Sequence, residues 1–365
     1  MMHSNAFQSL SGRSIVLIGP IAPPQWGPAV RNRIMLDTFQ RWGMNAVPVN
    51  TLAWRNRPFA FFWSLSKACC RQHHVFLSVS RHGCFVLIPL LWFLRPFCRL
   101  RLAFMPAGGG FADDLNRLPT PIRAGLTGML RNFDLLCVQT SFLQSQLKTM
   151  GLSALEVVPN FKNAPDSQGS QQKEHAVPRI LFLSRIRPLK GLETMFAALD
   201  QLHDQGYRFT LDLYGIISVE YMPEFDLLIR QRHYAAYKGV LPYDQVISAI
   251  TDYDFMIFPS LSVTEGFPGV LTDAALAGLP VIASDLPSTR EIIRDGYNGL
   301  LFEPGNPAQL AVCVKKLLND STLRRSMAAA NKAEGARYTT EVVLGNLLRR
   351  LESLGWWSNN NNNNR

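Results

Sequence analysis

Short, continuous apolar runs recur along the chain, each closed by glycine, proline or a polar cluster and followed by a stretch of helical spacing. The first is Ser14-Ile-Val-Leu-Ile-Gly19, which leads into a Pro/Gly-rich loop, Pro20 to Pro28, and a helix-like stretch to Trp42. Val75–Ser80, Arg99–Met105 and Leu135–Gln139 read as further strands, with helical stretches at Phe85–Leu94, Pro121–Leu130 and Ser141–Met150. Uninterrupted apolar runs mark parallel strands buried on both faces, and strands alternating with helices build parallel sheets. A polar segment without apolar periodicity, Lys162 to Pro178, interrupts the alternation and reads as a linker. Beyond it the pattern restarts with the strand Arg179–Ser184, a loop holding Arg185 and Lys190, and a helix from about Leu192 to Gln205. Strands are then predicted at Phe209–Tyr214, Tyr237–Val240, Phe255–Pro259, Val281–Ser284 and Gly299–Phe302.

The expected fold class is therefore α/β, with two Rossmann-like, doubly wound domains facing across a cleft: an N-terminal one over 1–165 and a C-terminal one over 166–338. In the remainder, 339–365, the helical pattern Thr339–Leu354 is expected to pack on the N-terminal domain, and the tail Asn359–Asn364 is low-complexity and contributes nothing to a core.

Composition adds a polarity between the halves. The chain has 365 residues, 47% hydrophobic and 18% charged, with a net charge of +10. Residues 1–165 carry 17 Lys and Arg against 5 Asp and Glu, whereas 166–365 carry 20 against 22. A basic half attracts phosphates, whether of nucleic acid, an anionic membrane or a phosphorylated substrate. No recognisable nucleic-acid motif accompanies it, so no nucleic-acid partner is expected. Six cysteines without a Cys-x-x-Cys pair read as reduced, mostly buried thiols and point to the cytoplasm. The longest apolar run, Gly83–Leu94, is too short to span a bilayer, and Met1–Arg13 lacks the apolar core of a secretory signal.

The segment richest in chemistry is Glu265-Gly-Phe-Pro-Gly-Val-Leu-Thr-Asp273. Pro268 suits the first turn of a helix and Gly278 its end, which places Glu265 in the preceding loop and Asp273 inside the helix. The amides of Gly266, Phe267, Gly269 and Val270 would then surround a helix N-terminus, where an anion is stabilised. By spacing alone, Glu265 could equally be a capping acid and Asp273 a solvated helix residue. Arg185 and Lys190 follow the first strand of the second domain, at the end of a parallel sheet where such folds bind ligands, and could neutralise a departing diphosphate.

In combination these residues resemble the retaining glycosyltransferases of the glycosyl transferases group 1 type, family four, which have the GT-B fold. Arg185 through Lys190-Gly191 is similar to that family's R-x4-K-G loop, and Glu265 with Asp273 to its E-x7-E element, the second acid being Asp here. Tyr253–Ser260, Val157–Asn160 and Asp295–Gly305 are similar too, so that the resemblance covers most of residues 135–310. It implies a nucleoside-diphosphate sugar as donor substrate and no other cofactor. It implies that Arg185 and Lys190 hold the diphosphate, Glu265 the sugar hydroxyls, Gly266 and Phe267 amides near sugar and phosphate, and Asp273 the ribose. Tyr237–Val240 would border the base, with Val240 on the donor side. Pro23–Ala29, with Gly27, resembles the family's N-terminal glycine loop, and Gly108-Gly109-Gly110 is a second glycine turn on the acceptor side. The implied reaction is transfer to a hydroxyl of a glycan or lipid-linked saccharide, in cell-surface polysaccharide synthesis, the alternative being a non-catalytic subunit of a membrane glycan-assembly complex.

Asp252-Tyr-Asp254 has the spacing of a metal-binding pair but leads straight into an apolar strand, and is expected to be a helix-to-strand loop with no metal. Basic residues from Arg55 to Arg101 interleave with aromatics such as Phe59, Trp63, Trp92 and Phe97, which suits an anionic membrane surface as a peripheral partner on the cytoplasmic side.

Overall fold

A computed structural model describes residues 10–22, 27–164 and 175–357. The loop residues Pro23–Trp26, most of the expected linker and the Asn-rich tail lie outside them. The chain divides into two compact units, Met1–Asn163 with Thr340–Arg365, and Ala164–Thr339.

In the first unit the strands are β1 (Ser14–Gly19), β2 (Asn45–Asn50), β3 (His74–Val79), β4 (Arg101–Pro106), β5 (Leu135–Val138) and β6 (Leu155–Val157). They form one parallel sheet in the order β2-β1-β3-β4-β5-β6. β1 and β3 sit side by side with Val16 opposite Val75, and both are almost wholly buried, as uninterrupted apolar runs require. Two strands escape the apolar pattern. β2 reads Asn-Ala-Val-Pro-Val-Asn, with a proline that only an edge strand tolerates, and it is an edge strand. β6 is the opposite edge and only three residues long.

The predicted helix Phe85–Leu94 extends in both directions to Arg81–Cys98, running through Pro89 and Pro96. Interior prolines disfavour a helix by about 3 kcal/mol each. Burial of Leu87, Ile88, Leu91 and Cys98 in the core offsets that cost, and the helix stops only where Arg99 turns left-handed at φ 50°. The helix Pro58–Arg71, not expected as such, buries Phe61, Leu65, Ala68 and Cys69 in the same core. The C-terminal helix Thr340–Ser353 belongs to this unit, and its tail tucks a fully buried Trp356 against His74, 5.2 Å between ring centroids.

The second unit contains β7 (Arg179–Leu183), β8 (Thr210–Tyr214), β9 (Ala235–Tyr237), β10 (Phe255–Phe258), β11 (Val281–Ser284) and β12 (Gly299–Phe302). Their order is β12-β11-β10-β7-β8-β9, again all parallel. The succession reverses between β7 and β10, and in an open parallel sheet the crevice beyond the carboxyl ends of the strands at such a reversal is where ligands bind. The expected strand Tyr237–Val240 is displaced: pairing with β8 holds Ala235–Tyr237, and Lys238–Val240 run on as irregular chain. Among the described residues no helix is long and apolar enough to cross a membrane.

Candidate functional site

The loops leaving β7 and β10 are locked to each other by backbone. Gly191 takes a left-handed φ of 73°, and a Cβ there would stand 1.9 Å from the carbonyl oxygen of Pro259, so only glycine lets the loops meet. Leu189, also left-handed at φ 67°, offers its carbonyl to the Leu261 amide at 2.9 Å. A non-glycine residue in that region costs about 1–3 kcal/mol and persists only where its surroundings enforce it. The β7 loop is pinned on its other side by Gly215, where a Cβ would lie 1.8 Å from the Ser184 carbonyl oxygen. The Gly215 amide in turn donates to the Gly239 carbonyl at 2.9 Å, so the exits of β7, β8, β9 and β10 are tied in one row.

This scaffold brings Lys190 and Glu265 together, 75 residues apart in sequence. The ammonium of Lys190, which is only 8% exposed, pairs with Glu265 Oε1, and the Ser260 hydroxyl donates to the same oxygen at 2.9 Å. The ammonium also lies 5.7 Å from the centroid of the Phe258 ring. Two opposite charges largely hidden from water hold each other strongly, and removing one strands the other at a cost of about 3–5 kcal/mol. Glu265 is thus no helix cap; Pro268 occupies the N-cap, one position before the first turn where sequence placed it. Arg185 stands at the start of the same loop, exposed and without hydrogen bond or ion pair among the described residues.

The helix Gly269–Ala277 begins beside this pair and ends at Gly278, left-handed at φ 69°. The amides of Gly266, Gly269 and Val270 make no hydrogen bond outside the helix among the described residues. Phe267 is buried in the unit's core and packs on Tyr338 with centroids 5.3 Å apart, which anchors the loop. Asp273 is no solvated helix residue: it is 3% exposed and faces Tyr243, whose phenol is pushed up by burial and further by the Asp273 carboxylate. Val240 lies exposed, three residues past the end of β9.

Gly27 and Gly108–Gly110 lie in the first unit. Gly27 opens the helix Gly27–Arg41 with nothing within 4 Å of a Cβ, so no close approach demands glycine there. The glycine with that property is Gly19 at the end of β1, where a Cβ would meet the Ser78 carbonyl oxygen at 2.3 Å. Gly108 follows β4 at φ 106°, and Gly110 caps the helix Phe111–Asn116.

Asp252 and Asp254 do form a turn between a helix and β10, and both have partners within the unit. Asp252 pairs with Arg179, while Asp254 Oδ2 accepts from the Arg179 amide at 2.8 Å and lies 3.0 Å from His175 Nδ1. Gly215 and Tyr243 escaped the sequence reading, and Ser260 entered it only as the end of the family-like stretch Tyr253–Ser260, with no role given. Gly215 was signalled only by its place after an apolar run, and Tyr243 by nothing short of the fold.

Residues 164–334 match the family described as glycosyl transferases group 1, and the second unit is a domain of that family. A phosphatidyl-myo-inositol mannosyltransferase of Mycobacterium leprae is 30% identical over 217 residues, 57% of this chain and 56% of that one. The chain spans about half the length of the curated relatives it matches. Two solved structures share the fold across both units: sucrose-phosphate synthase from Thermosynechococcus elongatus, with a TM-score of 0.73, and Anabaena HepE in complex with UDP-glucose, at 0.70. Each covers 93% of this chain and is covered to 99%, at 16% and 14% identity respectively. The chain therefore has the architecture of the GT-B glycosyltransferases, two Rossmann-like units, and carries a group 1 glycosyltransferase domain.

Proposed function

We propose that the protein transfers a sugar from a nucleoside-diphosphate sugar to a hydroxyl of a glycan or lipid-linked saccharide, with retention at the anomeric carbon, in cell-surface polysaccharide synthesis at the cytoplasmic face of the membrane. The observation that carries this reading is the Lys190–Glu265 pair at the reversal point of a group 1 domain. A nucleotide sugar offers each of these groups a better partner than the other. The diphosphate would draw Lys190, with Arg185 as a second cation, and the released Glu265 would accept hydrogen bonds from sugar hydroxyls. Amides of Gly266 and Phe267 and the N-terminal end of Gly269–Ala277 suit the phosphates, Asp273 suits the ribose, and the chain at Val240 suits the base. That HepE holds UDP-glucose supports UDP-sugars among the donors to try.

As the bond from the anomeric carbon to phosphate oxygen breaks, negative charge grows on the diphosphate, and Arg185 and Lys190 would stabilise it. The acceptor oxygen bonds to the anomeric carbon on the same face, and its proton passes to the departing phosphate oxygen. Asp252 and Asp254 face Arg179 and His175, which supports a transfer that uses no metal there. Lys190→Ala should lower kcat by a factor on the order of 100–1,000, as loss of one such stabilising donor does elsewhere. Release of nucleoside diphosphate measures it. Full turnover in a folded Lys190→Ala protein would refute the assignment, and activity abolished by EDTA would refute the metal-free step.

A further inference from the structure

From Thr38 through Ala112 the sequence contains no Asp or Glu, against nine Arg and Lys. This stretch includes the helices Pro58–Arg71 and Arg81–Cys98, each of which buries one side in the core and leaves the other uncovered. On the first, Phe59, Phe62, Trp63, Ser66 and Cys70 follow at steps of three and four, so they share the outer face. Phe59 is 90% exposed and Trp63 75%. On the second, Val86, Phe93 and Phe97 share the outer face, with Phe97 72% exposed. The sulfurs of Cys70 and Cys98 are 3.1 Å apart, so the two helices adjoin at their C-terminal ends and their aromatic stripes run out at neighbouring points.

Four exposed cations border the stripes: Arg57, Lys67, Arg71 and Arg99. Their side chains make no hydrogen bond or ion pair among the described residues, unlike Arg81 and Arg95, which pair with Asp114 and Asp134. A cavity of about 710 Å³ opens among Trp92, Phe93, Phe97, Arg95 and Arg99. Exposed apolar patches of this extent mark an interaction surface. Large aromatics at the headgroup level with arginine and lysine reaching phosphates beside them are the arrangement of a helix lying in a bilayer interface.

We propose that this face of the first unit docks on an anionic lipid bilayer, with Phe59, Trp63, Phe93 and Phe97 entering the headgroup layer and Arg57, Lys67, Arg71 and Arg99 on lipid phosphates. Among the described residues no helix is long and apolar enough to cross the membrane, and the proposed contact is peripheral and screened by salt. The inference concerns the first unit and goes beyond the transfer reading, which it does not require. If that reading also holds, docking would bring the enzyme to a lipid-linked acceptor.

Flotation of the full-length protein tests it, with vesicles of phosphatidylcholine alone and of phosphatidylcholine with phosphatidylglycerol. The protein should float with the anionic vesicles at low salt, be released at high salt and stay behind with the neutral ones. Each cation near such a surface contributes about fivefold to binding, so Lys67→Glu/Arg71→Glu/Arg99→Glu, which removes three cations and adds three anions, should bind at least about a hundredfold more weakly. Phe59→Ser/Trp63→Ser should lose at least about tenfold. All five positions are exposed, and an unchanged melting temperature verifies that the variants fold. Lys190→Ala should float like wild type, which separates a failure of docking from a failure of the donor site. Protein left unbound by anionic vesicles at low salt, or a triple variant that floats like wild type, overturns the proposal. So does a soluble dimer that Phe59→Ser/Trp63→Ser splits while no vesicle is bound.

Discussion

The two units follow one plan, a six-stranded parallel sheet clothed in helices, yet they treat charge in opposite ways. In the second unit several cations are matched with acids, one pair largely buried and two part-exposed: Lys190 with Glu265, Arg179 with Asp252, and Arg232 with Asp200 at 2.6 Å. In the first, the most deeply buried cation among the described residues has a neutral partner, since Arg31 donates to the Ser78 hydroxyl at 2.9 Å and burial lowers its guanidinium to about 10. Nine of its other cations fall in the acid-free stretch 38–112, and four of them, Arg57, Lys67, Arg71 and Arg99, stand exposed with no side-chain partner among the described residues. Paired charges fix geometry and suit a site that must grip one small ligand. Unpaired surface charges fix little and suit a broad anionic partner.

The largest effect that could break this contrast lies at Lys190, where alanine should reduce turnover a hundredfold or more while the fold survives. Next comes the scaffold under the pair. Gly215→Ala would force a Cβ into the Ser184 carbonyl, and we expect a loss of about 3 kcal/mol or more, read as a melting temperature lower by roughly 10 °C and a second unit that no longer binds donor. Asp273→Asn removes the charge but keeps the shape, and should weaken nucleotide binding about tenfold by calorimetry, the worth of a hydrogen bond to a charged acceptor.

Smaller and confined to the first unit is an effect of pH. Burial, then Arg101 and His73, lower the His74 imidazole to about 4. Its neutral Nε2 faces the Trp357 amide at 3.3 Å, beneath the C-terminal tail. A group that binds its proton more readily when unfolded contributes stability above its ordinary value near 6.5 and loses it as pH falls toward 4. Melting temperature against pH should therefore drop across that window, and His74→Gln should flatten the drop; an identical slope in the variant would contradict it. The smallest expected difference is chemical. Cys69, Cys84 and Cys137 are buried and their thiols pushed up, the first two to about 12, so mild alkylation at neutral pH should label the exposed Cys70 first.

Much of the fold was legible because parallel strands announce themselves as apolar runs: β1, β11 and β12 begin and end where sequence placed them. β2 and β6 were not, because edge strands need neither continuous apolar character nor freedom from proline. The helix Arg81–Cys98 overran its prolines because burial outweighed local propensity. At the candidate site, position after a strand put Arg185 and Lys190 at the mouth of the second sheet, and Pro268 with Gly278 put Glu265 in the loop before a helix. That Lys190 and Glu265 pair, and that Ser260 serves the same oxygen, depends on contacts 75 and 5 residues apart that no local pattern encodes. The need for glycine at 19, 191 and 215 likewise arises from a second strand or loop passing close by.

Calorimetric titration of the wild-type protein and Lys190→Ala with UDP-, GDP- and ADP-sugars tests the donor site most directly. At least one of these donors should bind the wild type and raise its melting temperature, with the affinity lost when Lys190 is replaced. A folded wild-type protein that binds none of them, or a variant that binds as tightly as the parent, would contradict the account.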